Sequence, residues 1–391
     1  MADGVHRTLA YRAGSPDARP GAGTIRRAVR AGSPASGAQT VDATVDRVLA
    51  RMTGLGPLEP LLTDPAVTDV MVNGPGRVWL ERDGTLVPTG VVLDRPTIEH
   101  LIERVVGPLG LRADRATPMV DARMPDGSRV HVVMPPIAVD GPCVTIRRFA
   151  TRPRALAEMC PPAVAFLLGW AVRNRLNMMV SGGTGAGKTT LLNALAAEIP
   201  TTERIVTVEE AAELRLAHHH VVRLEARPST PEAGPPVTIR DLVRNALRMR
   251  PDRIIVGECR GPEALEVLVA ANSGHEGTLS TCHANSPIDA LRRLETMVLL
   301  AGIDLPLPAV RDQIVAALDL VVQVARRSDG TRRVVAVAEV TGAAGIDAEV
   351  AGRRPASSCR LLADDSGVHS VPQRPVRAAE TEPLDTAWVT P

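Results

Sequence analysis

Residues 182–189 read GGTGAGKT and agree with the pattern G-x-x-x-x-G-K-[ST] at every fixed position. The residues before them, 177–180, form a short apolar run typical of a strand, and residues 190–197 have a helical pattern. A glycine-rich loop between a strand and a helix directs backbone N–H groups and the helix N-terminus at phosphate. The sequence therefore predicts a nucleotide-binding loop composed of Gly182, Gly183, Thr184, Gly185, Ala186, Gly187, Lys188, Thr189 and Thr190.

The basic residues of the chain single out one position of this loop. Of the 45 basic residues, 44 are arginines and the remaining one is Lys188. A lysine ammonium is a compact charge, whereas the arginine guanidinium is a broad planar group, so the two are not interchangeable. We expect Lys188 to contact the β- and γ-phosphates of a nucleotide and the hydroxyl of Thr189 to hold Mg²⁺.

Polar side chains stand at the ends of three other predicted strands, at 205–208, 254–256 and 278–282. These polar residues are, in the same order, Glu209 with Glu210, Glu258 after Gly257, and His283. In an open parallel sheet, ligands bind at the carboxyl ends of the strands. We therefore expect these side chains to converge beside the glycine-rich loop.

Each of these side chains suits phosphoryl transfer, which needs an oriented water molecule and neutralised charge. Glu258 occupies the Walker B position and is the candidate for orienting and polarising the water. Glu209 and Glu210 are candidates for acting through Mg²⁺-bound water, with Glu210 and Thr189 as the metal-binding residues. His283 is a candidate for a hydrogen bond to the γ-phosphate. The alternative for His283 is a core histidine without a role in the chemistry.

The composition limits the class of protein. A length of 391 residues predicts two or three domains, and 45% apolar residues are enough for a buried core. A net charge of +1 and only 2% aromatic residues argue against a protein that coats nucleic acid. The five cysteines are odd in number and lack C-x-x-C spacing, which favours a reducing compartment. Because no signal peptide or run of 18 apolar residues is visible, we expect a soluble intracellular protein.

Pattern and composition divide the chain into five segments. Residues 1–40 and 343–391 are predicted to be disordered tails without strands or helices, and dispensable for the chemistry. The other segments are an α+β domain at 41–149, a linker at 150–154 and an α/β domain at 155–342. In the α/β domain strands alternate with helices, which predicts a parallel sheet covered on both faces.

Individual elements are predicted in both domains from apolar periodicity and turn residues. In the first domain the predicted helices are 41–52 and 97–106, and the predicted strands are 70–72, 78–80, 91–93, 130–134 and 144–146. In the second domain, helix 161–174 precedes strand 177–181.

Four stretches in order resemble the secretion and pilus-assembly ATPases, the motors of type II and type IV secretion. They are SGGTGAGKTT (181–190), RIVTVEEAAELRL (204–216), RMRPDRIIVGECRGPEA (248–264) and GHEGTLSTCHANSP (274–287). They correspond to the Walker A motif, Asp box, Walker B motif and His box of that family. Two further stretches, 119–136 and 144–149, extend the resemblance to about residues 45–342. Within the family the chain is most similar to the tight-adherence (Flp) pilus branch, the CpaF/TadA type.

The resemblance implies a RecA-like P-loop domain preceded by a smaller N-terminal domain, with ATP and Mg²⁺ as ligands. It further implies a homo-hexameric ATPase at the cytoplasmic face of an inner-membrane platform, where it powers pilus assembly or secretion. The chain departs from the family in its Asp box, which usually reads Glu-Asp, whereas here it reads Glu209-Glu210. This change keeps the charge but lengthens the second side chain.

Arginines are the remaining candidates for catalysis. The sequence has a basic stretch made of Arg240, Arg244, Arg248, Arg250, Arg253 and Arg260. In a ring ATPase, arginines supplied across a subunit boundary neutralise charge in the transition state. Of this stretch, Arg240 is our catalytic candidate. Arg123 and Arg129, in a hairpin at 121–129, are candidates for closing over the nucleotide. The alternatives for the basic stretch are solvated or structural arginines and, least favoured, a nucleic-acid groove.

Two rival functions remain open from the sequence. The first is a motor that translocates DNA for conjugation or uptake. Against it stand the near-zero net charge and the scarcity of aromatic rings, which make nucleic acid an unfavoured partner. The second is an assembly scaffold that binds ATP without hydrolysing it, against which stands the intact set of Lys188, Thr189 and Glu258.

Overall fold

The computed structural model describes residues 55–82, 84–148, 154–227, 234–341, 358–374, 376, 382–385 and 387. The chain divides into two compact units, Met1–Thr151 and Arg152–Pro391. The predicted tail at 1–40 and the predicted helix at 41–52 lie outside the described residues. The predicted limits of the two domains and of the linker stay predictions.

The first unit contains a six-stranded antiparallel sheet with strand order β3-β2-β1-β6-β5-β4. Its strands are β1 (Val67–Asn73), β2 (Gly76–Arg82), β3 (Thr85–Leu93), β4 (Met119–Arg123), β5 (Arg129–Val133) and β6 (Cys143–Arg147), and its helices are α1 (Glu59–Thr63) and α2 (Arg95–Val106). Helix α2 begins where the Asp94 side chain accepts a hydrogen bond from the Thr97 backbone N–H at 3.0 Å. Its apolar residues pack with alternate residues of the strands into one core. The helix and strands predicted between 70 and 146 are confirmed.

The second unit is built on a nine-stranded sheet of order β15-β14-β13-β12-β7-β11-β10-β8-β9. The six strands from β12 to β9 in this order pair in parallel, whereas β13, β14 and β15 add antiparallel pairs at one side. The strands are β7 (Met178–Ser181), β8 (Ile205–Glu209), β9 (Val221–Glu225), β10 (Arg253–Cys259), β11 (Leu279–Cys282), β12 (Leu320–Arg326), β13 (Arg332–Thr341), β14 (Ser358–Asp364) and β15 (Gly367–Val368).

Helices cover this sheet and bury an apolar core on each of its faces. Helices α3 (Pro162–Arg173) and α4 (Lys188–Ala196) contribute to one core. The other core takes apolar residues from α5 (Ile239–Ala246), α6 (Ala264–Asn272), α7 (Pro287–Leu299) and α8 (Leu307–Ala317). The predicted parallel sheet with helices on both faces is therefore confirmed. Within the described residues, none of the helices combines the length and the apolar character needed to cross a bilayer.

The prediction that residues 343–391 lack strands is wrong for β14 and β15. Strand β14 pairs antiparallel with β13 from Ala336 to Thr341, and β15 pairs with β14. The pattern in β14 is weak because its apolar side chains are divided between a buried and an open face: Leu362 is fully buried, while Leu361 is 48% exposed. Such a strand is specified by its partner more than by its own sequence. Residues 342–357 lie outside the described part of the chain.

A buried ion pair anchors the start of β10. The side chain of Arg253 is fully buried and donates hydrogen bonds to the Glu203 carboxylate and, at 2.8 Å, to the Val172 carbonyl. It passes over Gly277, which has a φ of +82° and precedes β11. Arg253 is therefore a structural arginine, one of the alternatives left open for the basic stretch.

The close approach of Arg253 to Gly277 leads to a prediction about the stability of the fold. A Cβ atom at Gly277 would lie 1.9 Å from an Arg253 guanidinium nitrogen. We expect Gly277→Ala to lower the free energy of unfolding by about 2–4 kcal/mol, from overpacking of a buried side chain and from the positive φ. Gly274 is the matched control, because its φ is +85° but a Cβ there meets no described atom within 4 Å. Gly274→Ala should cost about 1 kcal/mol in urea unfolding. Equal losses in the two variants would contradict the crowding argument.

Candidate functional site

The glycine-rich loop 182–187 joins the carboxyl end of β7 to the first residue of α4, Lys188. Strand β7 lies between β11 and β12, so the loop is placed at the centre of the sheet edge. Two of its glycines are required by geometry. A Cβ at Gly182 would lie 2.5 Å from the Val324 carbonyl oxygen on β12, and Gly187 caps α4 with a φ of +99°. The loop thus has the strand–loop–helix context that phosphate binding needs.

The ammonium group of Lys188 lies at the base of this loop and is almost fully buried. It donates hydrogen bonds to the carbonyl oxygens of Gly182, at 3.2 Å, and Gly183, at 3.0 Å. Its nitrogen is also 3.3 Å from both ring nitrogens of His283. Burial lowers the pKa of Lys188, and the negative charge of Glu258 acts in the opposite direction. The one lysine of the chain therefore points its charge into a desolvated site, where electrostatic interactions are strong.

His283 follows β11 and lies between Lys188 and Glu258. Its Nε2 atom is 2.7 Å from Oε1 of Glu258, which stands on the neighbouring strand β10. Burial lowers the pKa of His283 below its usual range; the positive charges of Lys188, Arg260 and Arg293 act in the same direction, and Glu258 opposes them. A neutral imidazole at pH 7 offers both a donor and an acceptor nitrogen. The predicted convergence of Lys188, Glu258 and His283 is thus present in the structure.

Arg260 joins two of the acidic residues. Its Nε and Nη2 atoms are 2.8 and 2.7 Å from Oε2 of Glu258, and its Nη1 is 3.0 Å from Oε2 of Glu210. Sequence reasoning counted Arg260 only as part of the basic stretch. The available signal was its spacing, two residues after Glu258 at the end of a strand.

Glu209 occupies a different position from Glu210. It is buried, and its Oε1 accepts hydrogen bonds from the backbone N–H groups of Glu213, at 2.8 Å, and Leu214, at 2.9 Å. Burial raises the pKa of Glu209 to about 7, with the two N–H groups opposing the shift. These contacts hold the turn after β8. The expected action of Glu209 through a metal-bound water stays a prediction.

Each of the three predicted catalytic arginines is described within its own unit. Arg240, on α5, donates to Glu266 of α6 at 2.7 Å and to the Ala301 carbonyl at 3.4 Å. Arg123 and Arg129 are register partners at the end of the β4–β5 hairpin, in the first unit. Their predicted roles at the nucleotide stay predictions.

A further arginine touches the glycine-rich loop. Arg332, at the start of β13, donates through Nε to the Gly185 carbonyl at 3.2 Å. Its Cδ would lie 2.9 Å from a Cβ at Gly187. Sequence reasoning missed this residue, since β12 and β13 were not predicted and no motif marks it.

The oxygen donors at this edge of the sheet are of the kind that a magnesium ion prefers, while the described residues contain no cluster of three or more His, Cys, Asp or Glu side chains that could hold a metal by itself. Mg²⁺ prefers hydroxyl and carboxylate oxygens. Thr189 follows Lys188 at the start of α4, and Glu210 uses one carboxylate oxygen for Arg260. Glu258 Oε1 and Glu209 Oε2 are buried oxygens that lack a hydrogen bond within the described residues. Such oxygens are suited to ordered water or a hydrated cation.

These features define a P-loop nucleotide-binding protein with a RecA-like domain. Residues 51–365 match the family described as Type II/IV secretion system protein, and the chain belongs to this family.

Individual relatives agree with this assignment. The chain is 41% identical over 312 residues to a putative conjugal transfer protein of Mycobacterium tuberculosis, covering 76% of this chain and 88% of that protein. It is 34% identical over 335 residues to the type IV secretion system protein VirB11 of Brucella suis, covering 75% and 90%. The X-ray structure of the ATPase DotB of Legionella pneumophila has a TM-score of 0.52 with this chain, at 23% identity, and covers 69% of this chain and 76% of that one. This last likeness concerns the fold alone.

Proposed function

We propose that the chain is an ATPase that hydrolyses ATP at the loop 182–189. The observation that carries the proposal is the convergence of Lys188, His283 and Glu258 at the carboxyl edge of the sheet. His283 lies 3.3 Å from the Lys188 nitrogen and 2.7 Å from Oε1 of Glu258. The names of two relatives, a conjugal transfer protein and VirB11, support a role in secretion or transfer.

The residues of the site have different roles in phosphoryl transfer. Backbone N–H groups of the loop bind the phosphates, and Lys188 neutralises charge on the β- and γ-phosphates. His283 donates a hydrogen bond to the γ-phosphate, and Glu258 orients the attacking water through Oε1. Thr189 and Glu210 would hold Mg²⁺, which would supply charge neutralisation to the phosphate oxygens.

We further propose that the protein works as a homo-hexamer at the cytoplasmic face of the inner membrane, docked to platform proteins of a secretion or Flp-type pilus system. The resemblance of the four motifs to pilus-assembly ATPases supports this proposal. Arg240, Arg123 and Arg129 would then complete the site across a subunit boundary or after closure of the N-terminal domain. A DNA-translocating motor is the second candidate, favoured by the conjugal transfer name of a 41% identical relative.

Particle size and phosphate release test the proposal together. We expect light scattering with ATP and Mg²⁺ to give a particle of about six copies of the 41.4 kDa chain, with phosphate released at the same time. Stimulation of the rate by DNA, with salt-dependent DNA binding, would support the second candidate instead. Stoichiometric ATP binding without turnover would contradict an ATPase. Rapid turnover by a strict monomer would contradict the proposal that arginines act across a subunit boundary.

A further inference from the structure

Two nitrogens of the Arg260 guanidinium contact the same carboxylate oxygen of Glu258. Its Nε and Nη2 atoms both lie within 2.8 Å of Oε2. The Arg260 backbone N–H donates to Glu263 Oε1 at 2.6 Å, and the next N–H, of Gly261, donates to the same oxygen at 2.9 Å. The turn that carries Arg260 is therefore itself fixed by Glu263.

The other carboxylate oxygen of Glu258, Oε1, accepts no hydrogen bond from Arg260. Oε1 is buried, lies 2.7 Å from His283 Nε2, and makes no hydrogen bond of good geometry within the described part of the chain. Because Oε2 is engaged by the guanidinium, rotation of the carboxylate that would exchange the two oxygens breaks both contacts. The two oxygens of Glu258 are thus chemically distinct in this structure.

Arg260 also connects two acidic positions on different strands. Its third nitrogen, Nη1, is 3.0 Å from Oε2 of Glu210, which follows β8, while Glu258 is on β10. A guanidinium presents its donors in a rigid fork and can serve two carboxylates at once. A lysine ammonium in its place is a single point charge on a flexible chain and cannot keep the same geometry.

We propose that Arg260 is a positioning residue for hydrolysis, which fixes the Glu258 carboxylate so that Oε1 alone meets the attacking water. The inference rests on the proposed ATPase function and deepens it. Arg260 acts through Glu258 and Glu210 and does not itself bind the nucleotide. Its loss therefore reduces turnover more than nucleotide affinity.

The size of the effect follows from the geometry. Misplacement of a catalytic group by about 1 Å costs on the order of 10²-fold in rate. Because the Arg260 side chain is 56% exposed, water replaces part of its contact with Glu258. We expect Arg260→Ala to lower kcat about 10–100-fold and to change KM and the affinity for ATP by less than about 3-fold.

The experiment compares full-length wild type, Arg260→Ala, Arg260→Lys and a control, Arg292→Ala. Arg292 is an exposed arginine of α7 whose carboxylate contact is to Asp289 at 3.6 Å. The control should keep the wild-type kcat, and Arg260→Lys should recover only part of the loss. Because the Arg260 site is open to solvent, millimolar guanidinium chloride should raise the kcat of Arg260→Ala, whereas sodium chloride of equal ionic strength should not. A residue that acts only through stability would not give this rescue.

The outcomes separate this inference from the ATPase proposal. Absence of turnover in the wild type contradicts the ATPase itself. Turnover in the wild type with an unchanged or higher kcat in Arg260→Ala contradicts the positioning role of Arg260. A fall in kcat that is matched by an equal loss of ATP affinity, without rescue by guanidinium, assigns Arg260 to nucleotide binding and also overturns the inference. If Arg260→Ala is unstable, the same test is made with Arg260→Lys, by comparing its change in kcat with its change in KM.

Discussion

Lys188→Ala is expected to abolish measurable ATP turnover, with a fall in kcat of at least about 10²-fold. The ammonium is the charge at the base of the loop, and it lies against the carbonyl groups of Gly182 and Gly183 and the ring of His283. Its removal deletes a charge-assisted contact to phosphate, so nucleotide affinity should fall about 10–100-fold as well. The measurements are steady-state phosphate release and binding of a fluorescent ATP analogue.

Lys188→Arg is the informative companion variant. It keeps the positive charge, yet the planar guanidinium does not match the space and the carbonyl contacts of the ammonium. We expect it to remain well below wild-type turnover, which would explain why one lysine stands among 44 arginines. Wild-type activity in Lys188→Ala would remove the loop from the mechanism.

Glu258→Gln is expected to bind ATP with near wild-type affinity and to turn it over about 10²–10⁴-fold more slowly. The amide has nearly the same shape as the carboxylate but cannot accept a proton or polarise water to the same extent. Single-turnover measurements with saturating ATP give the chemical rate independently of binding.

The control for Glu258→Gln is Glu103→Gln, an exposed glutamate of α2 in the first unit. It makes the same chemical change at a residue that the proposed mechanism does not use, and it should leave turnover unaltered. Rapid single turnover in Glu258→Gln would contradict the role of Glu258 and would mean that another residue orients the attacking water.

Local sequence patterns were sufficient to predict the strands closest to the site. Strand β7 ends shortly before the loop that leads to Lys188, β10 contains Glu258, and β11 ends just before His283. These strands are largely buried on both faces, and the apolar runs 178–180 and 254–256 show this in the sequence. The rule that ligands bind at the carboxyl edge of a parallel sheet then predicted which side chains meet. Strand limits differed by a few residues: β10 runs to Cys259 and thus contains Glu258, which was expected to follow the strand.

Other elements depend on partners that are far away along the chain. β14 is specified by pairing with β13, and its own mixture of Asp, Arg and Leu gives little period-2 pattern. In the same way, no local signal distinguishes the roles of neighbouring acidic residues. Glu209 accepts hydrogen bonds from backbone N–H groups, whereas Glu210 forms an ion pair with Arg260, 50 residues later in the chain.

The arginines show the same limit most clearly. Arg240, Arg253 and Arg260 look alike in the basic stretch, but the structure gives them three different sets of contacts. Arg240 pairs with Glu266, Arg253 is buried on Glu203, and Arg260 bridges Glu210 and Glu258. Charge and spacing in the sequence cannot assign such roles, because each depends on which carboxylate the fold brings within reach.

An experimental structure of the full chain with Mg²⁺ and a non-hydrolysable ATP analogue is the most direct test of the account. We expect the triphosphate in the loop 182–189, with the γ-phosphate in contact with Lys188 and His283 and with Glu258 Oε1 facing an ordered water beside it. A saturating analogue bound elsewhere, or a loop without bound phosphate under those conditions, would contradict the account.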